Sequence, residues 1–186
     1  TGPRQKQRMS AMRRLMLLRH AKTRRDSPTG KDRDRALDER GRSDAPKIGT
    51  WMVRNGYIPE RSLVSTAVRT RQTWELLPAA LHAVPVEHLA ELYAADTDEL
   101  LDVIRTVTGE PQSLLIVAHN PGLHELALAF ISGGDAVAWQ ELNRNLPTSG
   151  LVCIDFAVDA WADVSLQKGS LTRFVTPKIL RDQPAI

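Results

Sequence analysis

The chain has 186 residues, of which 25 are Lys or Arg and 22 are Asp or Glu, giving a formal net charge of +3. This length suits one well-packed domain, and no apolar run reaches the ~20 residues that a membrane-spanning helix needs. The single cysteine, Cys153, excludes both a disulfide within the chain and a structural zinc site built on several cysteines. Because Cys153 lies in an apolar strand pattern, we expect a buried and inert thiol.

Positive charge is concentrated at the start of the chain. Residues 1–25 hold nine Lys or Arg and no acid, whereas the remaining 161 residues carry a net charge of −6. We interpret residues 1–11 as a basic leader (a solvated tail, a cloning remnant or an upstream start) and residues 12–186 as a single domain. We expect neither a specific nucleic-acid partner nor a membrane, and, because the start lacks the apolar stretch of a secretory signal, a cytoplasmic location.

Short apolar runs and stretches with helical spacing alternate along the chain. They predict, in order, a strand at 15–18, an exposed loop at 21–37, a helix at 38–55, a strand at 63–65, a helix at 67–81, a strand at 84–89, a helix at 96–107, a strand at 113–118, a helix at 121–130 and strands at 150–156 and 162–166. The first helix begins either at Asp38 or near Pro46, and Gly133 and Gly134 close the last one. This alternation predicts an α/β fold, a three-layer α/β/α sandwich around a mostly parallel sheet.

Polar residues that suit phosphate chemistry follow three of the predicted strands. Arg19 and His20 follow the first strand, Ser65 to Arg69 the second, and His119 and Asn120 the strongest one. Ligands of parallel sheets bind at the carboxyl ends of the strands, so these side chains are expected to converge. Guanidiniums donate to phosphate oxygens, a neutral imidazole can attack phosphorus, and a second, cationic imidazole stabilises the developing charge. Because the arginines neutralise the phosphate, we expect no metal and no cofactor.

Three segments resemble, in the same order, the motifs of a known family. Residues 17–23 (LLRHAKT) resemble the arginine–histidine signature of the histidine phosphatase superfamily, in its phosphoglycerate-mutase-like branch. Residues 65–73 (STAVRTRQT) resemble its second arginine segment, and residues 117–122 (VAHNPG) resemble its second-histidine motif. Together with Arg35 and the pair Pro177 and Lys178, the HNPG form is most similar to the SixA-type phosphohistidine phosphatases.

The resemblance implies a phosphoglycerate-mutase-like fold and a metal-independent phosphatase. His20 would become phosphorylated, Arg19 and Arg69 would clamp the phosphate, and His119 would hydrogen-bond the transferring group. We expect hydrolysis of protein phosphohistidine, with a histidine-phosphorylated protein as the partner. Two alternatives remain open: a small-molecule phosphomonoesterase of the same superfamily, and a catalytically idle module that binds phosphate or a phosphoprotein.

Further residues receive roles from the same resemblance. Thr23 and Asn120 would lie on the substrate side of the pocket. Arg35 would either contact the substrate or form an ion pair with an acidic neighbour in its loop. Glu91 would either protonate the leaving group, as a carboxylate does in related enzymes, or remain a solvated loop carboxylate. The remaining histidines are expected to pack or to lie on the surface: His82, His88 and His124.

Overall fold

A computed structural model describes residues 11–183 of the protein. The strands are β1 (Met12–Arg19), β2 (Arg61–Ser65), β3 (Val86–Leu89), β4 (Ser113–Ala118), β5 (Ile131–Gly134), β6 (Leu151–Ala157) and β7 (Gly169–Val175). The helices are α1 (Glu39–Arg54), α2 (Val68–Glu75), α3 (Ala79–His82), α4 (Thr97–Arg105), α5 (Gly122–Phe130), α6 (Ala136–Arg144) and α7 (Pro177–Asp182). Within residues 11–183, no helix is both long enough and apolar enough to cross a bilayer.

All seven strands form one sheet in the order β3-β2-β4-β1-β6-β7-β5. Strands β3, β2, β4 and β1 run parallel to one another, and β5 runs parallel to β7. Strand β6 is antiparallel to both of its neighbours, β1 and β7. The sheet is therefore mostly parallel, as the alternation of strands and helices predicts.

Each face of the sheet is covered by its own hydrophobic core. Side chains alternate along β1, so that Leu15 and Leu17 enter one core while Met16 and Leu18 enter the other. The first core includes buried residues of α4, α5 and α6, and the second includes buried residues of α1 and α3. Two helical layers around one sheet confirm the predicted three-layer α/β fold. Cys153 is buried in the second core, and burial raises the pKa of its thiol.

The first predicted helix is confirmed to within one residue at each end, whereas the second is not. Helix α1 begins at Glu39, because the Asp38 side chain accepts a hydrogen bond from the Gly41 N–H at 2.8 Å and caps it. The helix then continues through Pro46, so the alternative start near that residue is wrong. The single helix predicted over 67–81 is also wrong: Pro78, which lacks an N–H, separates α2 from α3.

Two predictions near the C-terminal part of the sheet are wrong as well. Gly133 and Gly134 do not close α5 but belong to the edge strand β5. Residues 162–166 do not form a strand, because Trp161 begins a 3-10 turn and buries its indole, whose N–H donates to the Pro111 carbonyl at 2.6 Å. The last strand is β7, and the sequence pattern does not predict α6 and α7.

Register places the ends of three parallel strands side by side. Arg19, the last residue of β1, pairs with Ala118, the last residue of β4. On the other side of β4, Val64 of β2 pairs with Val117. The residues that follow these strands therefore share one edge of the sheet, as the sequence predicts.

Candidate active site

Two buried histidines lie at the carboxyl edge of the sheet. His20 directly follows β1, and His119 directly follows β4. Each of the two residues is only 6% exposed. Their ring centroids are 5.4 Å apart. The backbone fixes His20 on both sides, since its N–H donates to the Ala118 carbonyl at 3.1 Å and its carbonyl accepts from the Ser149 N–H at 3.1 Å. The two imidazoles thus belong to one small pocket.

Hydrogen bonding determines which nitrogen of His20 is free to react. Its Nδ1 lies 2.8 Å from the carbonyl oxygen of Ala21, which can only accept, so Nδ1 carries the hydrogen. Burial lowers the pKa of His20 to about 3, and the positive charges of Arg69 and Arg19 act in the same direction. The ring is therefore neutral at pH 7, and its Nε2 holds a lone pair suited to nucleophilic attack.

His119 is held by a hydroxyl from the neighbouring strand. Its Nε2 lies 2.7 Å from Ser65 Oγ, and its buried Nδ1 has no hydrogen-bond partner among the described residues. Burial lowers the pKa of His119 to about 4, and the charge of Arg69 lowers it further. The ring is neutral at pH 7 in this structure, and a bound anion would favour the cationic form that the sequence predicts. If the Ser65 hydroxyl donates to Nε2, Nδ1 becomes a donor toward the pocket.

Two arginine side chains supply positive charge to the same pocket. Arg69, in the first turn of α2, is buried, and Arg19 is partly buried with its Nη1 donating to the Leu146 carbonyl at 3.0 Å. Burial lowers the pKa of Arg19, and the nearby charge of Arg69 lowers it further. The Nε of each guanidinium is buried without a partner among the described residues. The unused donors of two adjacent cations are suited to an anion such as phosphate.

Sequence reasoning missed two residues that the structure adds to the site, Asp32 and Tyr93. Both terminal nitrogens of Arg69 donate to Asp32, to its backbone oxygen at 2.8 Å and to its carboxylate at 3.0 Å. The Tyr93 hydroxyl donates to the same carboxylate at 2.7 Å, and its ring stands edge-on to His119 with centroids 5.5 Å apart. These bonds from Tyr93 and Arg69 lower the pKa of Asp32, so the carboxylate is ionised at neutral pH.

The other predicted site residues divide into those near the pocket and those away from it. Asn120 lies beside Arg19, since its Nδ2 donates to the same Leu146 carbonyl at 2.9 Å. Its buried Oδ1 has no partner among the described residues. Thr23 pairs through its backbone with Leu37, and the described contacts do not connect its side chain to the histidines.

Arg35 and Glu91 occupy different surroundings. Arg35 forms an ion pair with Asp32 at 3.2 Å, which is one of the two roles that the sequence offers for it. Asp32 in turn contacts Arg69 of the site. Glu91 is exposed and lines a groove with Arg61 and Asp102. Within residues 11–183, no described hydrogen bond or ion pair connects Glu91 to the histidines or to the arginine pair.

The remaining histidines pack or lie on the surface. His82 lies 2.8 Å from the Trp74 carbonyl and His124 lies 2.6 Å from the Leu142 carbonyl, while His88 is exposed. Among the described residues, no three His, Cys, Asp or Glu side chains form a group that could hold a metal ion.

Known proteins resemble this chain in both sequence and fold. The sequence profile of the histidine phosphatase superfamily (branch 1) matches residues 15–102. An uncharacterised protein of Mycobacterium leprae is 34% identical over 167 residues, covering 87% of this chain and all of the relative. A solved structure of the candidate phosphohistidine phosphatase SixA of Agrobacterium tumefaciens matches with a TM-score of 0.75 and 32% identity, over 89% of this chain and 98% of that one. Its counterpart from Nakamurella multipartitia matches with a TM-score of 0.76 and 26% identity, over 89% and 96% of the two chains.

Proposed function

Because the chain belongs to the histidine phosphatase superfamily, we propose that it hydrolyses protein phosphohistidine through a phosphorylated His20. The observation that carries this proposal is the fixed tautomer of His20. Its Nδ1–H donates to the Ala21 carbonyl, so the lone pair is on Nε2, in a pocket that also holds two guanidiniums.

The first step transfers the phosphoryl group to the enzyme. The lone pair of His20 Nε2 forms a bond to phosphorus while the bond from phosphorus to the leaving group breaks. Arg19 and Arg69 neutralise the phosphoryl oxygens, and Nδ1–H of His119 donates to one of them. Because Nδ1 of His20 keeps its hydrogen, phosphorylated His20 is an imidazolium that the Ala21 carbonyl stabilises.

The second step releases phosphate. A water oxygen attacks phosphorus, the bond between phosphorus and Nε2 breaks, and its electron pair returns to Nε2. The water's protons leave with inorganic phosphate and solvent, and His20 regains the neutral form in which it began. The same two arginines serve both steps, because the transferred group stays in one place.

The ionised form of Asp32 favours phosphohistidine as the substrate. An alkoxide leaving group needs a proton donor, whereas an imidazole that is protonated on its other nitrogen leaves without one. Asp32 is the carboxylate that contacts the arginine clamp in the described part of the chain, and its lowered pKa keeps it from donating a proton. The likeness to candidate phosphohistidine phosphatases supports the same substrate. We also propose a cytoplasmic location, which rests on the sequence alone.

A phosphomonoesterase is the second candidate, because Glu91 lies in the 3-10 turn just before Tyr93, which does reach the site. Replacing Glu91 with Gln tests this role, and Glu87→Gln is a matched control since it lines the same groove. Loss of sugar-phosphate hydrolysis in Glu91→Gln alone would identify Glu91 as the acid. We expect no such selective loss.

Turnover assays on three substrates test the proposed function directly: a histidine-phosphorylated protein, free phosphohistidine and a panel of sugar phosphates. We expect the phosphorylated protein to have the highest kcat/KM, and His20→Ala to abolish its turnover while the exposed His88→Ala does not. Faster turnover of a sugar phosphate would favour the phosphomonoesterase. Phosphate binding without turnover of any substrate would favour the idle binding module.

A further inference from the structure

We propose that Asp32 determines substrate specificity: its carboxylate accepts a hydrogen bond from the protonated imidazole of a phosphohistidine substrate and thereby favours phosphorus–nitrogen over phosphorus–oxygen bonds. This inference rests on the proposed function and adds a residue that recognises the leaving group. Neither the arginine clamp nor His20 distinguishes the two bond types, because both act on the phosphoryl group that all candidate substrates share.

Asp32 lies where a leaving group has to pass. His20 and Arg69 are buried, whereas the Asp32 side chain is 55% exposed although it contacts Arg69 directly. In-line transfer places the leaving group opposite the attacking nitrogen, and the nucleophile here is on the buried side of the pocket. The leaving group is therefore on the solvent side, which is the side of Asp32.

The carboxylate of Asp32 also has an oxygen available for a substrate. Oδ2 accepts from Arg69 at 3.0 Å and from Tyr93 at 2.7 Å. Oδ1 has the Arg35 guanidinium nearby at 3.2 Å, but that contact is an ion pair without hydrogen-bond geometry. A carboxylate oxygen has two acceptor positions, so Oδ1 can accept an N–H from a substrate.

The groups around Asp32 keep it anionic. Arg69 faces it from α2, Tyr93 from the segment that precedes α4, and Arg35 from its own loop. Arg33 stacks over the Tyr93 ring at 5.1 Å and adds a further positive charge at the rim. His119 is close enough for the negative charge of Asp32 to act on it.

An anionic group at this place promotes the chemistry of one substrate class. A phosphohistidine imidazole that is protonated on its free nitrogen keeps the electron pair of the breaking bond on the other nitrogen and leaves as neutral imidazole, so no proton has to move. A nearby carboxylate raises the pKa of such an imidazole, whose ordinary value is about 6.5, by about 1 to 3 units. The same carboxylate offers no proton to the alkoxide of a phosphoester, which therefore gains nothing from Asp32.

Asp32→Asn tests the inference, and Asp34→Asn is the matched control. Asn has nearly the same size as Asp, and its side-chain oxygen can still accept a hydrogen bond from Arg69. Asp34 lies in the same 3-10 turn as Asp32, at residues 32–34, but its carboxylate accepts a hydrogen bond from Thr29 and not from Arg69. We expect Asp32→Asn to lower kcat/KM for a phosphohistidine peptide by roughly 10- to 100-fold, the range for a hydrogen bond to a charged group. With p-nitrophenyl phosphate, whose leaving group needs no proton, the loss of kcat/KM should be at least about threefold smaller than with the phosphohistidine peptide, because only the latter loses a hydrogen bond to its leaving group. Asp34→Asn should leave both values unchanged.

The pH profile provides a readout that a merely structural role would not move. In Asp32→Asn, the alkaline limb of the phosphohistidine profile should shift down by about one pH unit, because the substrate imidazole loses its partner. The alkaline limb for p-nitrophenyl phosphate should stay in place. Asp32→Glu, which retains the charge, should recover part of the phosphohistidine activity, and Asp32→Ser provides a second neutral side chain should Asp32→Asn fail to fold.

Two failures can be told apart. If the wild-type protein hydrolyses p-nitrophenyl phosphate but no phosphohistidine, the proposed function is wrong and this inference is wrong with it. If the wild type hydrolyses phosphohistidine and the neutral variants slow both substrates equally, Asp32 only positions Arg69 and the specificity role alone is overturned.

Discussion

Lowering the pH from 7 to 5 should destabilise this protein through its two buried histidines. His20 and His119 have their pKa values lowered to about 3 and about 4, chiefly by burial. In the unfolded chain both return to about 6.5. Between these values the unfolded state binds more protons than the folded state, so this contribution to stability is complete above pH 6.5 and is lost as the pH falls toward 4.

The size of the effect follows from proton linkage. At pH 5 both rings are still neutral in the folded protein but almost fully protonated in the unfolded chain. Each histidine should then lower the free energy of unfolding by about 2 kcal/mol between pH 7 and pH 5, or about 4 kcal/mol for the pair. The result depends little on the folded pKa values, provided that both lie well below 5.

Urea unfolding at the two pH values measures this loss. A variant carrying His20→Asn and His119→Asn has no titrating group at either position and serves as the reference, because its carboxylates titrate as in the wild type. The buffer must contain no phosphate, since a bound anion would raise both histidine pKa values. The stability lost between pH 7 and pH 5 should be about 4 kcal/mol larger in the wild type than in the double variant. Equal losses in the two proteins would refute the reasoning that both imidazoles are neutral and buried in the absence of phosphate.

Three substitutions test how the pocket is built. Arg69→Lys replaces the planar guanidinium by a single ammonium. It should lower kcat/KM about a hundredfold in a turnover assay, which is the usual cost of losing a donor to a developing charge. A loss of less than tenfold would contradict the role of Arg69 in binding the phosphoryl group. Ser65→Ala removes the hydroxyl 2.7 Å from His119 Nε2 and should lower kcat about tenfold. It should also reduce the free energy of unfolding by roughly 1–3 kcal/mol, because the buried nitrogen loses its partner. Unchanged kcat would show that Ser65 does not orient the ring. Gly41→Ala places a methyl group against the Lys22 carbonyl, in the loop after His20, and should reduce the free energy of unfolding by roughly 1–3 kcal/mol in urea titrations; an unchanged midpoint would contradict that close approach.

The sheet edge and the four central side chains could be predicted from the sequence because local signals specify them. The apolar run at residues 114–118 makes up all of β4 except its first residue, and Arg19 and His20 follow the apolar part of β1. A strand end is a local feature, and the rule for ligands of parallel sheets converts it into a three-dimensional site.

Other features depend on contacts between distant segments and left no clear local signal. Asp32 is one of several charged residues in a polar loop, and its role arises only when Arg69 and Tyr93 approach it. Residues 162–166 alternate like a strand, but Trp161 buries its ring against the first core, which tertiary packing decides. Pro78 is a local signal for a helix break. The helical spacing of its neighbours nevertheless predicts one continuous helix.

In the proposed mechanism, His20 carries the phosphoryl group during turnover. Rapid mixing with a phosphohistidine substrate, followed by an acid-free quench and mass spectrometry, measures this directly. We expect one phosphoryl group on His20 in the wild type. We expect none in His20→Ala, which should also lack turnover. Phosphate on a different residue, or retained turnover in His20→Ala, would show that His20 is not the nucleophile.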